Sequence, residues 1–308
     1  MNAQLQLFFT NIDKIVLYFG ADAKYFYIDL ALKLTVRNIV FNYEDYEKVR
    51  QQIKNNTKWY NFARVNTQII NTYFVHYAKE PEKIGEALNL HKLLTKQFTR
   101  HDDSYIAAAY LKSEDHIERI NLLIKDLMNK QSVKYAPFKL STSAMLAGRA
   151  EDTKVLANSV ELYYQALVSI GYERTKDTTN TAVILTIGTG DFHNETFARL
   201  KELTTFIKKK EKKLKPHHYN TIALLSLAKF EVHQFPALHD MHEEICRFLK
   251  LDRRQFNSLL VATQIYTSTE AIGDLPSYDV DFSTIIFSAA EHSNTGRYES
   301  DITADGAD

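Results

Sequence analysis

"KPHHYNTIALLSLAKFE", residues 215–231, decides the fold. It opens polar, passes through the pair Asn220-Thr221, and runs on as "IALLSLA". A helix apolar all round has no wet face and must be covered from more than one side. A stretch beginning at Arg253, "RRQFNSLLVATQIYTS", has the same order of parts. Four more starts follow the pattern. Asn66-Thr67 precedes "QIINTYF", Asp103-Ser104 "YIAAAYL", Thr142-Ser143 "AMLAGRA", and Asn180-Thr181 "AVILTIG". The Ser/Thr positions 67, 104, 143, 181, 221 and 258 are 37, 39, 38, 40 and 37 residues apart. Recurrence at such a period marks a stacked repeat. A weaker copy starts near Asp29, "DLALKLTV".

Each unit has a second half with a different pattern. Residues 80–98, 113–130, 151–172, 194–214 and 235–251 read as amphipathic helices. In the fourth, Phe197, Leu200, Leu203 and Ile207 recur at steps of three and four, which places them on one face. The first helix of a unit (A) is therefore expected to be sandwiched and the second (B) half wet. A single hairpin cannot bury helix A, but stacked neighbours can. Four or five such side chains per unit are worth on the order of 1.5–3 kcal/mol each, before the entropy of ordering them. Stops between units fit the same scheme. Asp177 and Asp252 suit helix caps, and Pro216 suits a first turn. Pro81 and Pro236 suit the starts of B helices, and Gly171 suits a left-handed helix end. "LTIGTGD" (185–191) is read as the turn from A to B.

The fold expected is all-α: six or seven tandem hairpins with a period of about 38 residues. They are expected to stack as an open α-solenoid, with a closed α/α toroid as the alternative. Residues 1–60 form an N-terminal helical cap, 61–270 the repeats, and 271–308 a short helix or extended piece with a disordered acidic tail. Nine Gly and five Pro in 308 residues are too few for the many turns of a β-sandwich or barrel.

The succession "TKWYNFARVN", "TRHDDSYIAAAYL", "LSTSAMLAG" and "YNTIALLSLAKFE" resembles an uncharacterised bacterial family, domain of unknown function family 4003. The resemblance spans roughly residues 20 to 270 and leaves the acidic C-terminal end outside. It brings no activity, cofactor or catalytic residue with it.

Composition narrows the function classes. Acidic and basic residues balance at 38 each, which argues against duplex nucleic acid or an anionic membrane as partner. The single cysteine, Cys246, excludes a disulfide framework and a four-cysteine zinc site. No run reaches a membrane-spanning length, and "MNAQLQLFFTNIDKIVLYF" lacks the basic start of a signal peptide. A cytoplasmic protein is expected. Phosphate-binding glycine loops, the zinc-protease helix motif and the nucleophile elbow are all missing, so no cofactor is expected.

Four features carry possible chemistry. Asn66, Asp103, Asn180, Asn220 and Asn257 repeat at one place in the unit, with Thr142 as the exception. The plainer reading makes each a cap or loop tie within its own unit. The alternative is a ladder of polar groups along a concave groove, gripping the backbone of an extended peptide. His239, His242 and Cys246 share a helical face, an N/N/S start for a transition-metal site. Their spacing matches no named zinc signature, and a lone Cys on such a helix ordinarily belongs to the core. "KKKEKKLK" (208–215) reads as the solvated end of a B helix, and "TRHDDSY" (99–105) as an acidic helix start. The function expected is a helical-repeat scaffold for a protein or peptide. The rival is a metal-assisted hydrolase or lyase inside a closed ring.

Overall fold

The computed structural model describes residues 2–20, 24–135, 139–211, 214–250 and 258–268. Asp252, Asn257 and the segment 271–308 lie outside the described residues. Fourteen α-helices and no strand occur among the described residues. None of these helices is long and apolar enough to cross a membrane.

The helices fall into two alternating rows. One row holds α2 (Lys24–Val36), α4 (Thr67–Tyr77), α6 (Asp102–Ala108), α8 (Leu140–Ala147), α10 (Lys176–Thr189), α12 (Pro216–Leu227) and α14 (Ser258–Thr267). The other holds α1 (Ala3–Phe19), α3 (Tyr43–Asn55), α5 (Ile84–Gln97) and α7 (Glu114–Met128), then α9 (Thr153–Ser169), α11 (Asn194–Glu211) and α13 (Phe235–Leu249). The first row is buried all round, as the apolar A segments require. Every residue of α8 is buried, and so are Ile69 to Val75 of α4 and His218 to Leu227 of α12. The second row is half wet: α13 buries Leu238, Met241, Ile245 and Cys246 and exposes its other side. Helix α2, from the weak copy near Asp29, is buried in the same way as the other A helices.

The packing partner differs from the sequence unit. Each B helix takes as its A-row partner the helix that follows it: α5 on α6, α7 on α8, α9 on α10, α11 on α12 and α13 on α14, with α7 lying as much on α9 as on α8. The connection from B to the next A lets the two helices run antiparallel along their length. Along the buried row, α2 touches α4, and contacts continue through α6, α8, α10 and α12 to α14. Helix α14 in turn packs against α2 and α1. Phe9 of α1 stacks on Phe248 of α13, with ring centroids 4.0 Å apart.

Helix ends explain how neighbours are registered. Asn66 caps α4, its side chain accepting from the Ile69 N–H at 3.0 Å. The carbonyls at the other end of the A helices are taken by side chains from adjacent segments. Arg37 donates to the Val75 carbonyl, Tyr77 to that of Ala109, and Arg199 to that of Ser226. Arg119 of α7 donates to the carbonyls of Ala147, Arg149 and Glu151 just past α8. These bonds satisfy acceptors a helix end leaves open, with cations at the negative pole.

Two local readings are corrected. "LTIGTGD" is not the turn: α10 continues to Thr189, and only Gly190, at φ 75°, ends it. The hydroxyls of Thr186 and Thr189 bond back to the carbonyls of Ala182 and Leu185, so this stretch stays helical. Asp177 is not a cap. It lies in the first turn of α10, which starts at Lys176 behind Thr175. Gly171, at φ 93°, does close α9 in the left-handed region that favours glycine.

Candidate functional site

The A helices α4, α6 and α8 begin side by side, and so do α10 and α12. The bonds between neighbouring starts show this directly. Asn66 Nδ2 donates to Asp102 Oδ2 at 2.8 Å. Asp103 Oδ2 accepts from the backbone N–H of Leu140 at 2.6 Å and of Ser141 at 3.2 Å, and Oδ1 takes the Ser141 hydroxyl. The Thr181 hydroxyl lies 3.0 Å from Asn220 Oδ1. Repeating polar residues thus tie one unit to the next, across the interface. Asn66 does both jobs, capping its own helix and reaching forward. Asn220 is buried with its carbonyl oxygen engaged, and Asp103 and Asn180 are half-buried. The reason for the mixed roles is that the helices start at different offsets. α10 and α12 begin four residues before Asn180 and Asn220, whereas α4 begins just after Asn66.

The face where α4 begins carries an exposed aromatic loop between α3 and α4. Trp59 is 84% exposed and Val65 78%, with Tyr60 and Phe62 exposed between them. Trp59, the single tryptophan of the chain, therefore points outward. The loop is held from beneath. Arg100 Nε donates to the Tyr105 hydroxyl at 3.2 Å, and that hydroxyl donates to Asn61 Oδ1 at 3.0 Å. Asn61 Oδ1 also accepts the Ala63 N–H, and Arg64 donates to the Thr57 carbonyl. The Lys58 ammonium stands over the Tyr60 ring, 5.8 Å from its centroid. Below, His91 stacks on Tyr105 with centroids 3.6 Å apart and lies 3.0 Å from the Ser104 hydroxyl. Burial, with Arg100 and Lys92 nearby, lowers the His91 pKa to about 4, so the ring is neutral. "TRHDDSY" is a helix start, as its acids suggest, with Asp102 opening α6.

Away from this face, on α13, His239 and His242 come together with Glu243 rather than with Cys246. Their ligand atoms all lie within 4.8 Å of one another. Cys246 Sγ instead meets the far nitrogen of His242, Nε2, at 3.5 Å. Glu243 was not legible in the sequence, because a carboxylate beside a histidine is common on the wet face of a helix, whereas the sulfur at the next turn stands out. From "KKKEKKLK", Lys208 donates to the Ile170 carbonyl at the end of α9, at 2.8 Å.

Alternating buried and half-wet helices, tied to one another at their starts, define an all-α protein. The family described as "Protein of unknown function (DUF4003)" matches residues 17–275, and the chain belongs to it. No curated protein and no solved structure matches the chain.

Proposed function

We propose that the chain is a binding scaffold for a protein or peptide, built as a closed α/α toroid of seven hairpins, with the loop 58–65 as its docking element. Closure, in place of an open solenoid, is supported by α14 lying on α2 and α1 and by Phe9 stacking on Phe248. In a closed ring the segment 1–60 supplies the first hairpin rather than a separate cap. The concave groove is then replaced by the face where the A helices start, and Asn66 stands at its edge directly after the loop.

The observation that carries the binding reading is the exposed run Trp59, Tyr60, Phe62, Val65 on a loop pinned by Arg100, Tyr105 and Asn61. Exposed aromatics on a rigid support are the usual anchors of an interface, because little entropy is lost on docking. Lys58 and Arg64 flank them, so the partner fitted is a segment with an apolar anchor beside carboxylates. A single cysteine and a balanced charge suit a partner met in the reducing cytoplasm.

The test is panning of a displayed random-peptide library on the full chain. The reading expects enrichment of peptides with an aromatic or aliphatic anchor next to Asp or Glu. Trp59→Ala with Tyr60→Ala should weaken their binding at least about tenfold, as loss of a hot-spot aromatic does. Enriched peptides that bind this double variant equally well, or no enrichment at all, would contradict the proposal.

A second reading, an enzyme with its site inside the ring, draws on buried polar atoms along α12 and α14. Thr221 Oγ1, Thr263 Oγ1 and Gln264 Nε2 are buried without a hydrogen-bond partner among the described residues. Such atoms suit an enclosed polar ligand.

A further inference from the structure

We infer that the outer side of α13 is a binding site for one first-row transition-metal ion, zinc above all, held by His239, His242 and Glu243. Positions i, i+3 and i+4 of a helix share one face. Here Glu243 Oε1 lies 4.0 Å from His239 Nε2 and 3.8 Å from His242 Nδ1. Tetrahedral zinc with bonds of about 2.1 Å sets its ligand atoms about 3.4 Å apart. Glu243 Oε1 therefore needs to close on each imidazole by only about half an ångström, and the two imidazoles, within 4.8 Å of each other, by at most about 1.4 Å, rotations within reach of these side chains. Two imidazoles and a carboxylate form a donor set that suits zinc and its neighbours and does not suit calcium.

The surroundings are arranged for this chemistry. His242 turns Nδ1 toward Glu243 and Nε2 toward Cys246 Sγ. A metal-bound histidine commonly has its second nitrogen held by a neighbour, which fixes the ring. Cys246, read from sequence as a core residue with a sulfur ligand as the alternative, is thus a positioning residue for His242. The side chain of His239 is 66% exposed, while His242 and Glu243 are largely covered. One side of the site is open, leaving a coordination position for water or for a ligand from a partner. All three donors lie on one helix, so the ion braces a single turn of α13. The last turn of that helix carries Phe248 onto Phe9.

The experiment is calorimetric titration of the metal-free full chain with zinc, paired with cobalt(II) absorption spectra. One zinc per chain is expected. His239→Ala, at an exposed position that leaves the fold intact, should weaken binding at least about tenfold. His242→Ala and Glu243→Gln should do the same. Cys246→Ser should keep the stoichiometry, and the cobalt form should show ligand-field bands without a thiolate charge-transfer band. Absence of saturable one-to-one binding, or affinity unchanged in both histidine variants, would overturn the site. A thiolate band that disappears with Cys246→Ser would overturn the N/N/O ligand set.

Discussion

A polar residue set into an apolar helix has a different task at each copy of the repeat. Asn66 was legible as a cap, because an Asn immediately before an apolar run is an N-terminal signal. Its second bond, to Asp102, was not, since the partner lies 36 residues away. Asp103 and Asn220 were legible only as anomalies, because their partners, Ser141 and Thr181, sit in the adjacent units. The His91 environment is of the same kind: the sequence shows a histidine on an amphipathic helix but not the Tyr105 ring upon it. That environment gives a pH prediction. The folded-state pKa of His91, about 4, lies below the ordinary value of 6.5. The unfolded chain therefore takes up a proton that the folded chain refuses. Stability should be full above pH about 6.5 and fall as pH drops toward about 4, by at most about 3 kcal/mol from this residue. His116, whose pKa burial also lowers, acts in the same direction. Urea titrations from pH 7 to pH 4 on the wild type and His91→Phe check this. The variant should lose part of the acid sensitivity, and identical pH slopes would refute the assignment.

At the scale of elements, most of the fold was written in the periodicity. Segments apolar all round became the buried row, and segments with one apolar stripe became the half-wet row. What periodicity could not say is which helices pair. The sequence unit runs A then B, while the packing unit runs B then A, because contact depends on the crossing at each turn. The misread "LTIGTGD" illustrates the limit. Two glycines look like a turn, yet Gly188 is inside α10 because a neighbour comes too close for a side chain. A Cβ at Gly188 would run into the Leu227 side chain of α12. Gly188→Ala is therefore expected to destabilise the protein by about 1–3 kcal/mol, although alanine favours a helix. Combined with Leu227→Ala, its loss should be clearly less than the sum of the two single losses. Chemical denaturation of the four proteins decides it. Strict additivity would mean that α10 and α12 do not meet at this point.

At the scale of the molecule, the period was legible, and the closure proposed above was not. A period of about 38 residues states that hairpins stack, but an open and a closed stack share the same period. The difference lies in contacts between the first and the last described helices, which no local pattern encodes. Those contacts are made by ordinary apolar residues: Phe9 against Phe248, and α14 against α2. In a closed ring every A helix has neighbours on both sides, which matches the burial of most described side chains of α2 and α14. An open stack would leave its terminal A helices wet on one side unless capped. In such a ring the aromatic loop and the α13 cluster would sit on a frame without free ends. The most direct measurement of this account is a cross-link across the seam. Phe9→Cys and Phe248→Cys, in a chain carrying Cys246→Ser, would be treated at high dilution with a short bismaleimide and digested for mass spectrometry. The account predicts one intramolecular link joining the peptides that contain positions 9 and 248. Links found only between separate chains, with both cysteines reactive, would contradict it.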